Sequence, residues 1–572
     1  MTILDDINCS KDVKKLTLQQ LEILAKEVRE KILNTVFKNG GHLSSNLGVV
    51  DLIIAAHYVF DFPQDKFIFD VGHQCYAHKI LTGRKDSFST LRQKNGISGF
   101  PKIEESEYDC ANTGHASTSI SLGCGFARAN NYLSQKNNVI SLIGDGAMTG
   151  GLVFEALNDV FAIKSKQIIL LNDNEMSIGK NVGYISEYLR SLSECESKSK
   201  PFCEFGLDYV GVVDGHNFAE LIKAFERAKN NKKSIIIHIA TKKGKGFAVA
   251  ELDPCKYHGY SPSKCSTKTF SEVFGETLLT LATRDKNIFA ITAAMANGTG
   301  LEEFEEKLPR QFVDVGIAEG HAVTMSSAMA LNGIKPYFAV YSTFLQRAFD
   351  NLLHDVCLNK LPFVIGVDRA GFVSGDGETH QGIYDISFLS CMPNMTIFAP
   401  KDCEELAMAL NWSEHFDAPL AIRYPKGYAK TTYNIHTPIE YGKFEALSDN
   451  NAQIVLLANG ATILDELSDM SVILKDKNIE VDIVNCRFIK PLDTEYLDKI
   501  ANKTVITVEE NVIEGGFGSA VATYYIQKGK NVDLHICAVE NKIYPQASRE
   551  ELLKETKLDA QSLATFVLNL QK

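Results

Sequence analysis

The stretch LIGDGAMTGG, residues 142–151, joins an apolar, β-rich run to a turn that contains several glycines. Such a turn after a strand is typical of a phosphate site, because glycines let backbone N–H groups approach an anion closely. This turn, however, also carries a carboxylate, Asp145, between Gly144 and Gly146. An anion site that includes an acid needs a positive charge between the two, and a divalent cation supplies it.

A second apolar run ends in further oxygen-bearing residues. It reads QIILLNDNEMSIG and spans residues 167–179. Because ligands collect at the carboxyl ends of parallel strands, we expect Asp145, Asn172 and Asn174 to reach one edge of a sheet. Carboxylate and amide oxygens suit Mg²⁺, which completes its shell with phosphate oxygens. GDG alone is a common turn and Asn-Asp-Asn often only caps a loop, but the two motifs together predict a magnesium and diphosphate site.

Length and composition favour a globular protein of several domains. The chain has 572 residues, of which 45% are hydrophobic and 23% charged, and its formal net charge is -12. This acidic balance, without a long basic run, argues against a nucleic-acid or membrane-surface partner. The 13 cysteines form no Cys-x-x-Cys pair, and the beginning of the chain lacks the apolar core of a signal peptide. We therefore expect a cytoplasmic protein without a membrane segment.

Short β-rich runs alternate with amphipathic segments along the whole chain. Examples of the runs are VISLIG, IFAIT, FVIGVD and IVLLANG. This alternation predicts α/β domains in which helices cover both faces of a parallel sheet. The runs are too many for one sheet, and turn-rich stretches lie at 253–268 and 424–442. We expect three doubly wound α/β domains with mostly parallel sheets, at residues 1–262, 263–432 and 433–572.

Further motifs give the chain a family resemblance. GDG followed one strand–helix–strand unit later by NDN resembles the thiamine diphosphate signature of the transketolase-like enzymes. Within that class, the chain resembles the 1-deoxy-D-xylulose-5-phosphate synthase family, as a divergent member. The other motifs that carry the resemblance follow in order over nearly the whole chain: GGHLSSNLGVVDL, FDVGHQCYAHKILTGR, TKKGKGF, IAEGHAV, YSTFLQRAFDNLLHDV, DRAGFVSGDGETHQG, RYPKG and VEENVIEGGFGS.

The resemblance implies a transferase that depends on thiamine diphosphate and Mg²⁺ and has the thiamine-diphosphate-binding fold. The family decarboxylates pyruvate and adds the two-carbon unit to glyceraldehyde 3-phosphate, which gives 1-deoxy-D-xylulose 5-phosphate and CO₂. This is the first step of the non-mevalonate route to isoprenoid precursors, and the product also serves thiamine biosynthesis. The family further implies a homodimer. The three domains would then bind diphosphate and Mg²⁺, bind the pyrimidine ring, and form a C-terminal transketolase-like domain.

The resemblance also implies roles for individual residues. The metal ligands are Asp145, Asn174 and the Met176 carbonyl, and Glu319 is the catalytic acid that bonds the aminopyrimidine ring. The other implied catalytic residues are His42, His258 and His380. Implied coenzyme contacts, besides Glu319 and Asn174, are His73, Gly114, His115, Ala116, Gly146, Ala147 and Phe247. Implied substrate contacts are Tyr341, Arg347, Arg369, Asp376, His380 and Arg423.

Each of these roles competes with an ordinary structural one. Glu319 also fits an acid at a helix N-terminus, which the helix dipole favours. Phe247 fits core packing, and a single histidine in a loop is usually a surface residue. Arg369 and Arg423 each follow a β-rich run, where they form either surface ion pairs or a bidentate clamp for a phosphate.

The chain departs from the family pattern at three positions. Ala116 stands where the family usually has Ser, Ala293 where it has Pro, and Gly320 where it has Gln. Ala116 and Gly320 keep open the alternative of a cofactor-binding homologue with weak turnover. The other alternative is transketolase-like ketol transfer from a sugar phosphate donor. The segment at 185–205 is polar and serine-rich, and we expect it to be a mobile lid.

Overall fold

The computed structural model describes residues 2–163, 166–176, 179, 181–194, 202–262, 267–431, 433 and 436–571. They form two compact units. The first contains residues 1–264 with Gly316–Ala318 and Gly375–Thr379, and the second contains 265–315, 319–374 and 380–572. The predicted lid lies partly outside the described residues, which omit 195–201. No helix within the described residues has the length and apolar character that crossing a bilayer requires.

A five-stranded parallel sheet is the frame of the first unit. The strands of this unit are β1 (Gly41–His42), β2 (Lys66–Phe69), β3 (Val139–Gly144), β4 (Ile168–Asp173), β5 (Asp208–Asp214), β6 (Ile235–Ala240) and β7 (Gly259–Tyr260). The sheet has the order β2-β3-β4-β6-β5, while β1 and β7 form a separate antiparallel pair. In β4, Ile168 and Leu170 belong to one buried cluster and Ile169 and Leu171 to another. Because successive side chains of a strand point to opposite faces, both faces of this sheet are covered.

Helices supply the cover of the first sheet. They are α1 (Ser10–Val13), α2 (Leu18–Asn39), α3 (Ser44–Gly48), α4 (Val50–Val59), α5 (Tyr76–Lys79), α6 (Ser119–Tyr132), α7 (Gly151–Val160), α8 (Tyr184–Glu194), α9 (Phe218–Asn230) and α10 (Ala248–Leu252). The longest helix, α2, begins after Thr17, whose side chain accepts a hydrogen bond from the Gln20 N–H. The Gln20 side chain in turn accepts one from the Thr17 N–H. Such a capping box satisfies two backbone donors that a helix start otherwise leaves open.

The second unit contains two further sheets. Its strands are β8 (Ile288–Thr292), β9 (Phe312–Asp314), β10 (Lys335–Tyr341), β11 (Val364–Asp368), β12 (Thr396–Phe398), β13 (Leu420–Arg423), β14 (Glu445–Ala446), β15 (Ile454–Ala458), β16 (Asp482–Asn485), β17 (Phe488–Lys490), β18 (Thr504–Val512) and β19 (Asp533–Val539). One sheet has the order β17-β12-β13-β11-β10-β8-β9 and the other β14-β16-β15-β18-β19. Only β17 and β14 run antiparallel to their neighbours in these two sheets. The three large sheets confirm the predicted α/β class with mostly parallel strands.

The helices of the second unit follow the same alternation. They are α11 (Phe270–Arg284), α12 (Glu302–Lys307), α13 (Glu319–Leu331), α14 (Ser342–Leu345), α15 (Phe349–Asn351), α16 (Asp385–Ser390), α17 (Cys403–Ser413), α18 (Ala461–Lys475), α19 (Thr494–Lys499), α20 (Phe517–Gln527), α21 (Arg549–Glu555) and α22 (Ala560–Leu570). Short helices follow β10 directly, so several functional candidates lie just after the carboxyl end of that strand.

Strand β17 ties the two sheets of the second unit together. It lies in the segment that the sequence assigns to the third domain, yet it pairs with β12, with Phe398 opposite Phe488. Just before β17, Arg487 is 2% exposed and forms ion pairs with Glu405 at 3.0 Å and Glu445 at 2.6 Å. Since buried charges are tolerated only when they are paired, Arg487 compensates one carboxylate on α17, Glu405, and one on β14, Glu445.

A chain of buried polar side chains crosses the first unit. Ser10 Oγ lies 2.7 Å from His57 Nδ1, and His57 Nε2 lies 3.0 Å from His78 Nδ1. His78 Nε2 lies 3.1 Å from Asp109, which Arg84 also binds. Burial, and then the neighbouring His78, hold the pKa of His57 well below its usual 6.5. Burial also lowers the pKa of His78, although Asp109 opposes the shift.

We predict that this chain makes stability depend on pH. Below about pH 6.5, His57 and His78 bind protons in the unfolded state but not in the folded state. The free energy of unfolding therefore falls as pH falls, by up to about 1.4 kcal/mol per pH unit for each proton. The apparent melting temperature should therefore drop more for the wild type than for His57→Gln between about pH 7.5 and about pH 5.5. An equal drop in both proteins would show that His57 does not titrate in this way.

Candidate active site

Two strand ends of the first unit bring the predicted metal ligands together. Strands β3 and β4 are neighbours, with Gly144 opposite Asn172. The Asp145 side chain follows β3, is 3% exposed, and accepts hydrogen bonds from the N–H groups of Asn174 at 3.2 Å and Met176 at 3.1 Å. The Asn174 side-chain oxygen also accepts from the Met176 N–H, at 3.2 Å. Asn172 reaches the same edge, but its side chain accepts from the Thr241 hydroxyl at 2.6 Å.

The Asp145 carboxylate is in an environment that disfavours its negative charge. Burial and the neighbouring Asp173 carboxylate raise the pKa of Asp145 well above its usual value. For Asp173, burial acts in the same direction, but the hydrogen bond and charge of His238, with the hydrogen bonds from the Glu175 N–H and from Asp145, together lower the pKa. In the described part of the chain, no three His, Cys, Asp or Glu side chains cluster as metal ligands. A cation here would therefore be held by one carboxylate with amide and carbonyl oxygens.

Three of the predicted histidines form a cluster in the first unit. The ring centroids are separated by 5.2 Å for His42 and His73, 5.6 Å for His42 and His258, and 5.4 Å for His73 and His258. The pairing of β1 with β7 places His42 opposite Gly259 and so brings His258 beside it. Burial lowers the pKa of His258 far below its usual value, and Lys243 adds to the effect. His258 is therefore neutral near pH 7.

The segment at 114–116, which contains three of the predicted coenzyme contacts, packs closely against Thr379. His115 Nε2 lies 3.0 Å from the Thr379 carbonyl oxygen. A Cβ atom on Gly114 would lie 2.3 Å from Thr379 Cβ, so a larger residue cannot be placed there without movement. Ala116 is 8% exposed and Ala147 5% exposed, and both belong to one buried apolar cluster with Ile143. Gly146 is also buried and donates its N–H to Asp145 at 2.9 Å.

The short segment 375–379 belongs to the first unit and carries Asp376. The Asp376 carboxylate forms an ion pair with Arg92 at 2.7 Å, and Glu378 forms one with Lys102 at 2.9 Å.

Phe247 is partly buried and packs edge-on against Phe37 and Tyr257. The first unit therefore contains Asp376 and Phe247 together with the metal candidates and the histidine cluster.

In the second unit, Glu319 opens helix α13 and is 4% exposed. Burial raises the pKa of Glu319, while Arg347, whose Nη1 lies 3.7 Å from Glu319 Oε2, opposes the shift. Gly320 follows it, and a Cβ atom there would approach the Asn351 side-chain oxygen to 3.0 Å. A carboxyl group in this setting keeps a proton more readily than an ordinary glutamate does.

The remaining substrate candidates lie at the carboxyl ends of β10, β11 and β13 or soon after them. The Arg369 guanidinium carbon lies 3.9 Å from the centroid of the Tyr341 ring, a cation–π contact. Phe344 stacks on Tyr341 and lies edge-on to His380, with centroids 5.5 Å apart in the second pair. Arg423 is 4% exposed and binds Asp385 through Nε at 2.7 Å and Nη2 at 3.2 Å. Arg423 thus has an internal ion pair and is not a surface residue.

Several residues near the candidate site were not predicted from the sequence. Asp70 directly follows β2 and accepts the N–H groups of Ser117 at 2.7 Å and Ser119 at 2.9 Å. Its position after a strand is the same signal that pointed to Asp145, so the sequence could have revealed it. Arg92 and His238 carried no such signal, because their partners Asp376 and Asp173 lie 284 and 65 positions away.

Comparison with known proteins decides the family. The description of the family profile that matches residues 4–200 and 190–241 is 1-deoxy-D-xylulose-5-phosphate synthase. Profiles of the transketolase pyrimidine-binding domain and of the transketolase C-terminal domain match residues 266–431 and 442–563. The 1-deoxy-D-xylulose-5-phosphate synthase of Clostridium perfringens is 46% identical over 99% of both chains, and that of Clostridium tetani is 45% identical over 98% of both.

The chain belongs to the 1-deoxy-D-xylulose-5-phosphate synthase family. This membership confirms the family resemblance, the transketolase-like fold and the predicted class of enzyme, a thiamine diphosphate-dependent transferase. Among solved structures, a transketolase from Campylobacter jejuni is 18% identical and covers 97% of this chain and 100% of its own, with a TM-score of 0.47. The roles of individual residues in this synthase-family chain stay predictions.

The close approach at Gly114 predicts a measurable effect on segment 375–379. Gly114→Ala should push Thr379 aside and loosen the segment, because such overpacking costs about 1–3 kcal/mol. Hydrogen–deuterium exchange should then speed up at residues 375–379. Adding Thr379→Gly should restore slow exchange, and Gly125→Ala is a matched control because a Cβ there meets nothing within 4 Å. Unchanged exchange in Gly114→Ala would contradict this packing.

Proposed function

We propose that this chain decarboxylates pyruvate and adds the remaining two-carbon unit to glyceraldehyde 3-phosphate, giving 1-deoxy-D-xylulose 5-phosphate and CO₂. The observation that carries the proposal is full-length similarity to synthases of that name, at 46% identity over 99% of both chains for one of them. The reaction would be the entry to the non-mevalonate route to isoprenoid precursors. A cytoplasmic homodimer is part of the proposal: the homodimer rests on the family resemblance, and the cytoplasmic location rests on the cysteine pattern and the absence of an apolar signal-peptide core in the sequence.

The donor set around Asp145 fits Mg²⁺. One carboxylate, the Asn174 side-chain oxygen and the Met176 carbonyl are hard oxygen ligands of the kind that this ion prefers. Burial beside Asp173 makes the Asp145 charge unfavourable by itself, and a cation would relieve it. Gly146, Ala147, Gly114, Ala116, His73 and His115 would contact the diphosphate. When bound, thiamine diphosphate supplies a centre that stabilises a carbanion.

Glu319 would bind the aminopyrimidine ring of the coenzyme, with Phe247 as a packing contact elsewhere on thiamine. The nearly complete burial of Glu319 and its raised pKa support this role, since both let the carboxyl group share a proton with a ring nitrogen. Arg347 limits the shift and keeps the carboxyl group ionisable. A positioned acid of this kind typically contributes two to four orders of magnitude to the rate, about 10²–10⁴-fold.

The histidines and arginines would handle the substrates. His258 and His42 would take part in proton handling beside the substrates. Burial holds the pKa of His258 low, so its neutral ring is able to donate one hydrogen bond and accept another. His380, Tyr341, Arg347 and Asp376 would contact the substrates.

Arg369 and Arg423 would bind the phosphate of glyceraldehyde 3-phosphate. The ion pair with Asp385 uses Nε and Nη2 of Arg423 and therefore fixes the direction of the guanidinium plane.

The proposed reaction is tested by supplying pyruvate with and without glyceraldehyde 3-phosphate. We expect CO₂ release that the aldehyde stimulates, together with 1-deoxy-D-xylulose 5-phosphate identified by mass spectrometry. No CO₂ in either case, with ketol transfer from a sugar phosphate donor, would favour the transketolase-like alternative. Coenzyme binding without any product would favour a binding homologue.

Replacing Glu319 by Gln should separate catalysis from binding. The variant keeps the size of the side chain but cannot share a proton with the coenzyme, so kcat should fall by about 10²–10⁴-fold. Thiamine diphosphate binding, measured by calorimetry, should remain. Glu303→Gln is a matched control, because Glu303 is an exposed residue of α12. A Glu319→Gln enzyme that keeps most of its turnover would rule out this role for Glu319.

A further inference from the structure

The turn that carries the proposed metal ligands has an unusual backbone. Between Asn174 and Met176, Glu175 has φ +61, in the left-handed region that residues other than glycine rarely adopt. On either side of Glu175, the N–H groups of Asn174 and Met176 both donate to the Asp145 carboxylate. The Asp173 side chain holds the turn, because its Oδ1 accepts the Glu175 N–H at 3.1 Å. The placement of the ligands therefore depends on Asp173.

The second carboxylate oxygen of Asp173 is bound by a histidine. Asp173 Oδ2 lies 2.7 Å from His238 Nε2, and the Tyr209 hydroxyl lies 2.9 Å from His238 Nδ1. His238 is 0% exposed. Since a carboxylate only accepts, Nε2 carries a proton and donates it to Asp173, while Nδ1 shares a hydrogen bond with the Tyr209 hydroxyl. The carboxylate of Asp173 is thus held at both oxygens, by the turn and by the ring.

The sheet places His238 beneath the turn. Strands β4 and β6 pair with Leu171 opposite His238 and Asp173 opposite Ala240, so the ring lies close to the end of β4. On its other side, strand β5 passes at Gly211. A Cβ atom there would lie 2.7 Å from His238 Cβ and 2.9 Å from the Tyr209 hydroxyl, so the lack of a side chain makes room for both groups.

We propose that His238 is a positioning residue for metal binding: by bonding Asp173 it holds the turn at 173–176 that presents Asn174 and Met176 beside Asp145. The inference rests on the proposed function in one respect, namely that these three residues bind Mg²⁺. His238 itself touches neither metal nor substrate. Partners of metal ligands that act in this way typically change metal affinity by about 10- to 100-fold when they are removed.

Two substitutions separate the two bonds of the His238 ring. In His238→Gln the amide nitrogen takes the place of Nε2 and keeps a donor toward Asp173. In His238→Asn the amide nitrogen takes the place of Nδ1, so the bond to Asp173 is lost. A role in core packing alone would make both variants suffer alike, whereas the positioning role requires that only the Asn variant loses metal affinity.

The test is a calorimetric titration of Mg²⁺ into the full chain with thiamine diphosphate in excess. We expect Mg²⁺ affinity to fall about 10- to 100-fold in His238→Asn and to stay near wild type in His238→Gln. Asp145→Ala provides the reference for a lost site, and circular dichroism checks that each variant is folded. Equal affinity in both His238 variants, whether retained or reduced, would overturn the proposal.

If His238→Asn does not fold, a variant of Asp173 tests the same hydrogen bond from the other side. Asp173→Asn removes the charge that the ring binds while it keeps the shape of the side chain, and it should weaken Mg²⁺ binding to a similar degree. Wild-type affinity in that variant would also overturn the proposal. Pyruvate turnover of the wild type is measured separately, so a chain that binds Mg²⁺ as expected but forms no product contradicts the function and not the positioning role. A wild-type chain that binds no Mg²⁺ contradicts both.

Discussion

Two carboxyl groups with little access to water lie side by side at the ends of β3 and β4, and much of the first unit is arranged around them. Asp145 is 3% exposed and Asp173 8% exposed. Burying a charge is costly unless hydrogen bonds or an opposite charge compensate it. Asp145 accepts three backbone N–H groups, and Asp173 is bound by a histidine. Burial and Asp173 nevertheless raise the pKa of Asp145, so two adjacent negative charges are unfavourable at the end of this sheet.

In the second unit, buried charges are likewise compensated by partners of opposite charge. Arg423 and Asp385 pair at the end of β13, and Arg487 pairs with Glu405 and Glu445 beside β17. Each pair is almost fully buried. Removing one partner would leave the other charge buried and uncompensated, which is strongly destabilising.

Much of this organisation is visible in the sequence, and the rest depends on contacts between distant positions. Asp145, Asn172 and Asn174 were predicted as one group because the strand-end rule is local: each follows an apolar run. Met176 was predicted only from the family resemblance. The same rule would have found Asp70. The rule could not show that the Asn172 side chain is bound by Thr241, since only the register of β4 and β6 decides that.

The grouping of His42 with His258 was beyond any local pattern. It depends on a two-residue antiparallel pair between β1 and β7, some two hundred positions apart. The place of Asp376 within the first unit depends in the same way on Arg92, which lies far earlier in the chain. The departures at Ala116 and Gly320 are each accommodated locally, by an apolar cluster and by the nearby Asn351.

The pairing of β17 with β12 bears on how such a chain can be rearranged. The last segment, taken as a module, begins after residue 432, yet one of its strands completes the sheet of the segment before it. Cutting the gene at that linker would expose a row of unpaired backbone groups on one product and leave an orphan strand on the other. Fusion, splitting or exchange of parts between relatives should accordingly keep residues 265–572 in one piece. An exchange at residue 264 should also match Gly316–Ala318 and Gly375–Thr379, which belong to the first unit.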